Sequence, residues 1–234
     1  VRVAIIVFPG TNCDQDIEHV YAGLLGAQTT KVWHRDSDLK SPDLVVLPGG
    51  FSYGDYLRTG ALAKLSPVME SVKSFAAGGG RVLGICNGFQ ILCEAGLLPG
   101  VLLENVGRRF LSRFVHIKVE SPRSFYTGHM KVGHVITCPI AHFQGNYFAD
   151  AATLESIEKH GQVVFRYCDG DGAVRDDDRD VNVNGSLHSI AGVTNRDGNV
   201  VGLMPHPERA VEQIVGAIGG ETGLTPFTTA QQGG

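Results

Sequence analysis

Val3 to Phe8 forms an unbroken apolar run near the start of the chain. Such runs belong to strands covered on both faces, since half-exposed strands alternate. Pro9-Gly10-Thr11-Asn12 interrupts the run, and Ile17, Val20, Tyr21, Leu24 and Leu25 then recur at helical spacing as far as Gly26. One stripe of that helix should face a core. Thr11 or Asn12 is the expected cap, with Asp14 and Asp16 in the first turn, where the helix dipole favours negative charge. Thr29 to Trp33 reads as a second strand, and Leu44 to Leu47 as a third that stops at Pro48-Gly49-Gly50. A helix over about Pro67 to Ala77 puts Val68, Met69, Val72, Phe75 and Ala76 on one face. The Gly78-Gly79-Gly80 run reads as its stop and not as a phosphate loop, because no Lys-Ser or Lys-Thr follows. Strands alternating with helices predict a mostly parallel, doubly wound α/β sheet with ligands at the carboxyl ends of its strands.

The second half is less regular. Phe114 to Glu120, Gly133 to Cys138 and Gln162 to Tyr167 read as strands, and Ala152 to His160 as a short helix. The acidic stretch from Asp169 to Gly185 reads as a solvated excursion. Ile190 to Thr194 and Val200 to Met204 flank Asn195-Arg196-Asp197-Gly198-Asn199, a hairpin signal that appends an antiparallel portion to the sheet. The expected organisation is one domain over residues 1–218 and a Gly-, Thr- and Gln-rich tail over 219–234, disordered or ordered by a partner.

Composition narrows the function. The chain has 234 residues, 43% hydrophobic and 19% charged, the profile of an ordinary globule. No apolar run approaches a bilayer span and no signal-peptide layout is present, so a cytoplasmic location is expected. Net charge is −4 with basic residues scattered, which argues against nucleic acid as the main ligand. The five cysteines lack C-x-x-C spacing and the nine histidines form no H-E-x-x-H, so neither a disulfide framework nor a metal site is expected.

Chemistry concentrates in Arg81-Val82-Leu83-Gly84-Ile85-Cys86-Asn87-Gly88-Phe89-Gln90. A buried cysteine is ordinarily a small hydrophobe. Here, however, Gly-x-Cys-x-Gly after a buried strand is the thiol form of a nucleophile elbow, in which small residues permit a strained strand-to-helix turn. The helix N-terminus favours the thiolate of Cys86, and the Asn87 amide is placed to donate to an oxyanion. A second donor is the Gly50 amide, which a missing side chain lets approach a substrate oxygen. The last strand ends in Pro205-His206-Pro207-Glu208. Prolines push their predecessors toward extended backbone, so His206 and Glu208 should project to one side, roughly 7 Å apart along the chain. Glu208 would then orient the imidazole, giving nucleophile, base and orienter as Cys86, His206 and Glu208.

With these three motifs in this order, the sequence resembles the class I (triad) glutamine amidotransferases, from the first strand to about Ala210. Phe8-Pro9-Gly10-Thr11-Asn12-Cys13-Asp14, Gly49-Gly50-Phe51-Ser52-Tyr53-Gly54-Asp55 and Pro139-Ile140-Ala141-His142 are similar to the member that serves de novo purine biosynthesis. The resemblance implies a three-layer, flavodoxin-like fold. It also implies glutamine as substrate, a glutamyl thioester on Cys86, and Gln90 against the bound glutamine. Further contacts to the amino-acid moiety are expected from about Arg108 to Phe114. The implied partners are an ATP-dependent synthetase subunit, which receives the ammonia, and a small accessory subunit. No cofactor is implied in this chain; ATP and magnesium are expected only in the synthetase. The alternatives are a glutaminase of vitamin B6, histidine or guanylate synthesis, or a catalytically silent regulatory subunit.

Overall fold

The protein is described from a computed structural model, which covers residues 1–215 and 223–232. The expected strands form as β1 (Arg2–Val7), β2 (Gln28–Trp33), β3 (Leu44–Leu47) and β4 (Arg81–Ile85). They are followed by β5 (Val101–Leu103), β6 (Leu111–Val119), β7 (Val135–His142), β8 (Asn146–Phe148), β9 (Val163–Cys168), β10 (Ile190–Thr194) and β11 (Val200–Leu203). Nine of them make one sheet in the order β2-β1-β3-β4-β11-β10-β9-β6-β7. The β2 to β11 half is parallel, and β10, β9, β6 and β7 continue it antiparallel. The pair β5 and β8, not foreseen from the sequence, forms a separate small ribbon.

Every residue of β3 and β11 is buried, so the centre of the sheet is covered on both faces, as their unbroken apolar runs require. β2 and β3 lie on opposite sides of β1. The chain therefore leaves β1 in one direction and returns in the other, opening a crevice at the carboxyl ends of the strands. β11 joins β10 through the hairpin yet pairs in parallel with β4, Leu203 opposite Ile85. Consequently Cys86 and His206 emerge from the same end of adjacent strands despite their separation in sequence.

The helices are α1 (Asp14–Glu18), α2 (Pro67–Ala77), α3 (Asn87–Glu94), α4 (Ala151–Lys159) and α5 (Thr225–Gln232). α1 passes into a π-helical turn over His19–Leu24, and its cap differs from expectation. Cys13 is the N-cap residue and makes no side-chain cap bond. Thr11 Oγ1 instead accepts from the Phe8 amide at 2.9 Å, and Asn12 Oδ1 accepts from the Cys13 thiol at 3.3 Å. The amides of Asn12 and Cys13 both donate to Gly49 O, at 3.3 and 3.2 Å. The polar groups after β1 are thus spent on tying that loop to the end of β3.

Two other expectations need correcting. The 169–185 stretch keeps Asp176, Asp177 and Asp178 at the surface, but Asn182 and Asn184 are buried. Asn184 donates to Gly145 O at 2.7 Å and to the Tyr167 hydroxyl at 3.1 Å. The described part of the tail packs on this chain's own core: Phe227 is buried with its ring 5.6 Å from both Tyr21 and Tyr126, edge-on to each. Too few apolar residues surround Phe227 to show a helical period, so its burial depends on partners distant in sequence. Residues 219–222 and 233–234 of the expected tail lie outside the described residues. Among the described residues, no helix is long and apolar enough to cross a membrane.

Candidate active site

At the end of β4 the chain turns sharply through Cys86, whose backbone is left-handed (φ 49°, ψ −105°), directly into α3. For a residue with a Cβ this conformation is strained, and it holds only where the surroundings over-determine it. The flanking glycines provide that constraint. A Cβ on Gly88 would come within 1.9 Å of Leu47 O, and one on Gly84 within 2.5 Å of Leu92 Cδ1 and 2.7 Å of the Gly88 carbonyl carbon. The elbow is pressed between β3 and its own helix, and the Cys86 amide donates to Leu203 O at 2.8 Å. Cys86 is 5% exposed, and its sulfur lies 3.8 Å from Ala141 O.

His206 reaches the elbow from β11. Its amide donates to Pro139 O of β7 at 2.8 Å, tying the segment to the strand that ends the sheet order. Glu208 meets the ring by a route other than the extended one expected. Pro207–Arg209 coil into a 3-10 turn, which brings Glu208 Oε1 to 2.6 Å from His206 Nδ1. Both side chains are essentially sealed from solvent, at 2% and 0% exposure. Burial opposes a charge on the imidazole, but Glu208 first, then the Cys86 sulfur and a contact from Cys13, drive its pKa well above the ordinary histidine value. The ring is therefore an imidazolium fastened at Nδ1. Its buried Nε2 makes no hydrogen bond of ordinary geometry and is left for the thiol side.

The glycine turn after β3 completes the wall. Gly50 has φ 153°, and a Cβ there would lie 2.6 Å from Gly10 O. A Cβ on Gly49 would strike His206 Cε1 at 2.6 Å, so the imidazole occupies the space that a side chain would need. The bridge between Thr11 and Gly50 runs through the amides of Phe51 and Asn12, while Gly50 itself faces the pocket beside Cys86. Asn87 Oδ1 accepts from the Ser52 amide at 3.1 Å, and Asn87 Nδ2 donates to Gln90 Oε1 at 3.0 Å. Gln90 Nε2 in turn donates to Gln144 O at 2.5 Å. Asn87 and Gln90 thus bind the glycine turn, the elbow and the far wall into one unit, a link that their spacing in sequence does not reveal.

Two small cavities meet at the sulfur. One of about 90 Å³ is lined by Gly50, Asp55, Cys86, Gln90, His142 and Gln144, among others. The other, about 40 Å³, includes Cys13, Cys86, His206 and Arg209. Cys86 and Gly50 border both, so a substrate can lie on one side of the sulfur while the imidazole lies on the other. The Arg108–Phe114 stretch supplies none of the lining of the first cavity; its far wall is Ala141 to Gln144. His142 there is buried, its Nδ1 is 3.1 Å from Asn105 Oδ1, and burial followed by the charge on His206 pulls its pKa down to about 3. It is a neutral wall residue.

Cys13 is the residue that motif reasoning missed. Its sulfur, a nitrogen of His206 and an oxygen of Glu208 all lie within 4.8 Å of one another. Burial raises its pKa, and the contact with His206 only partly offsets this, so Cys13 is a neutral thiol beside a charged ring. Its place in the Phe8–Asp14 stretch was the available signal.

A cysteine on a strained elbow, backed by a buried His–Glu pair and facing an amino-acid-sized cavity, is suited to acyl transfer from a small amide. Residues 1–224 match the model of the CobB/CobQ-like glutamine amidotransferase domain. The chain belongs to this glutamine amidotransferase family. Among its relatives, phosphoribosylformylglycinamidine synthase subunit PurQ of Chlorobaculum tepidum is 52% identical, with 93% of this chain and 92% of that protein covered. The subunit PurQ of Gloeobacter violaceus is 53% identical, with 94% of each covered. Among solved structures, a chain of PurLQS from Thermotoga maritima superposes with a TM-score of 0.84 at 40% identity, covering 98% of this chain and 97% of that one. The amidotransferase fold is accordingly that of the sheet described above.

Proposed function

We propose that this chain is the glutaminase subunit of a phosphoribosylformylglycinamidine synthase in purine biosynthesis. The buried imidazolium carries the reading, held at Nδ1 by Glu208 and turned toward Cys86. Relatives that match over nearly their whole length support the choice of pathway.

In this reading the Cys86 sulfur attacks the side-chain amide carbon of glutamine from the junction of the two cavities. The carbonyl oxygen becomes an oxyanion, met by the amides of Gly50 and Asn87, each worth about 3 kcal/mol to the transition state. His206 passes its proton to the departing nitrogen, ammonia leaves, and a glutamyl thioester remains on Cys86. The now neutral imidazole takes a proton from water as the water attacks the thioester carbon. Collapse of the second tetrahedral intermediate expels the sulfur and gives glutamate. Glu208 stabilises the cation at each return of the proton and fixes the tautomer. The proposed partners are an ATP-dependent synthetase subunit, which consumes the ammonia, and a small accessory subunit. ATP and magnesium are assigned to the synthetase, and the assembly to the cytoplasm.

The test is Cys86→Ala in the assembled synthase. Glutamine-dependent amidine formation is expected to fall below detection, while synthesis from added ammonium chloride persists. Glutamine-dependent turnover surviving in the variant would remove Cys86 from the mechanism.

A further inference from the structure

The turn after Gly50 carries a feature that the thioester chemistry does not use. Tyr53, Gly54 and Asp55 are all left-handed, with φ of 55°, 67° and 55°. The turn is braced from behind. The Tyr53 hydroxyl lies 2.7 Å from His34 Nδ1 and 2.9 Å from Ser66 Oγ, and the Tyr53 amide donates to Pro9 O at 2.7 Å. Left-handed backbone at two non-glycine positions on either side of a glycine, so supported, serves to aim a side chain.

The side chain it aims is Asp55, which lines the 90 Å³ cavity together with Cys86 and is the one carboxylate among its lining residues. Its Oδ1 is buried without a hydrogen-bond partner. Arg58, the nearest cation along the chain, is paired with Glu94 at 2.7 Å. Burial, with no charged neighbour relieving it, raises the Asp55 pKa to about 6. The remaining polar groups on the wall are occupied or uncharged. Gln90 uses both ends of its amide, Thr59 donates to Gln144 Oε1, and His142 is neutral. A half-buried carboxylate with a bare oxygen in a small pocket calls for a cation, because an unpaired buried charge is costly.

We propose that Asp55 receives the α-ammonium of glutamine, and that this contact selects the free amino acid over other primary amides. The inference rests on the glutaminase reading and adds to it the group that recognises the substrate's amino end. A short methylene chain separates that ammonium from the amide carbon attacked by Cys86, which suits two groups bordering one small cavity.

The experiment uses the complete synthase with wild type and Asp55→Asn. Glutamine is compared with glutaramate, which is glutamine without its α-amino group. Wild type is expected to favour glutamine by about 100-fold in kcat/KM, the loss typical when one member of a buried charged pair is removed. Asp55→Asn should raise the glutamine KM by about the same factor, leave the glutaramate kcat/KM within about threefold, and leave ammonia-driven synthesis unchanged. Equal losses on both amides, or a glutamine KM within about threefold of wild type, would overturn the assignment. If the variant fails to assemble, wild type alone still decides: equal use of the two amides refutes the contact. A wild-type synthase that releases no ammonia from glutamine would refute the glutaminase reading itself, a separate outcome.

Discussion

Glu208→Gln removes one charge and almost no volume from a buried pair. The carboxylate oxygen lies 2.6 Å from His206 Nδ1, and the Glu208 side chain is 0% exposed. Taking the charge centres as roughly 4 Å apart in a medium of effective dielectric about 20, the attraction on the imidazolium is about 4 kcal/mol. Since the cation must form again during each half-reaction, its loss corresponds to a drop of about 10³-fold in kcat. Glutamine's amide can also turn its NH₂ toward Nδ1 and favour the wrong tautomer, which would deepen the loss. With Glu208 gone, burial dominates at His206, so the imidazolium proton leaves at lower pH. The alkaline limb of the rate profile should therefore move toward neutrality. The assay is glutamine-dependent amidine formation by the complete synthase across pH, with ammonium chloride as nitrogen source in parallel. The ammonia-driven rate should not change. A glutamine-dependent kcat within tenfold of wild type, or an unmoved alkaline limb, would refute the argument that Glu208 sustains the cation.

Gly88→Ala should destabilise the fold at the elbow, because its Cβ would stand 1.9 Å from backbone oxygen of Leu47, which cannot rotate away; a cost of 1–3 kcal/mol or roughly that is expected in a denaturant melt. Phe227→Ala should cost about 3–5 kcal/mol by leaving a gap between Tyr21 and Tyr126, lowering Tm while the glutaminase rate at 25 °C holds; an unchanged Tm would mean α5 is not part of the core. In a Cys86→Ala background, glutamine affinity measured by calorimetry should weaken as pH falls through about 6, where Asp55 gains its proton. His142, with its pKa near 3, stays neutral through that range, and Asp55→Asn should flatten the curve.

Much of the site is legible in the sequence. Gly84, Cys86 and Gly88 announce an elbow because only that combination of strand, strained turn and helix demands small residues on both sides of a thiol. The close contacts that glycine avoids at Gly84 and Gly88 give the reason. The His206 and Glu208 pair was legible from the two prolines, although the mechanism differed: a 3-10 turn, not an extended step, closes the distance. Cys13, Asp55 and the 141–144 wall were not read as site residues. A lone cysteine in a helix-capping position and an aspartate in a glycine-rich turn look like ordinary punctuation, and only the crevice at the end of β1, β3 and β4 gives them a common neighbour.

The amino-acid order by itself determined the apolar runs that must be covered on both faces, the turns that only glycine or proline can make, and the types of group available for chemistry. These are local matters, set by sterics and by the burial of individual side chains. Tertiary structure alone decided which ends meet. β11 lies in parallel beside β4, so a thiol and an imidazole more than half the chain apart share one cavity, and the tail finds Tyr21 and Tyr126 to cover its phenylalanine. Such pairings follow from the packing of the whole sheet, a long-range balance that no short stretch of sequence encodes.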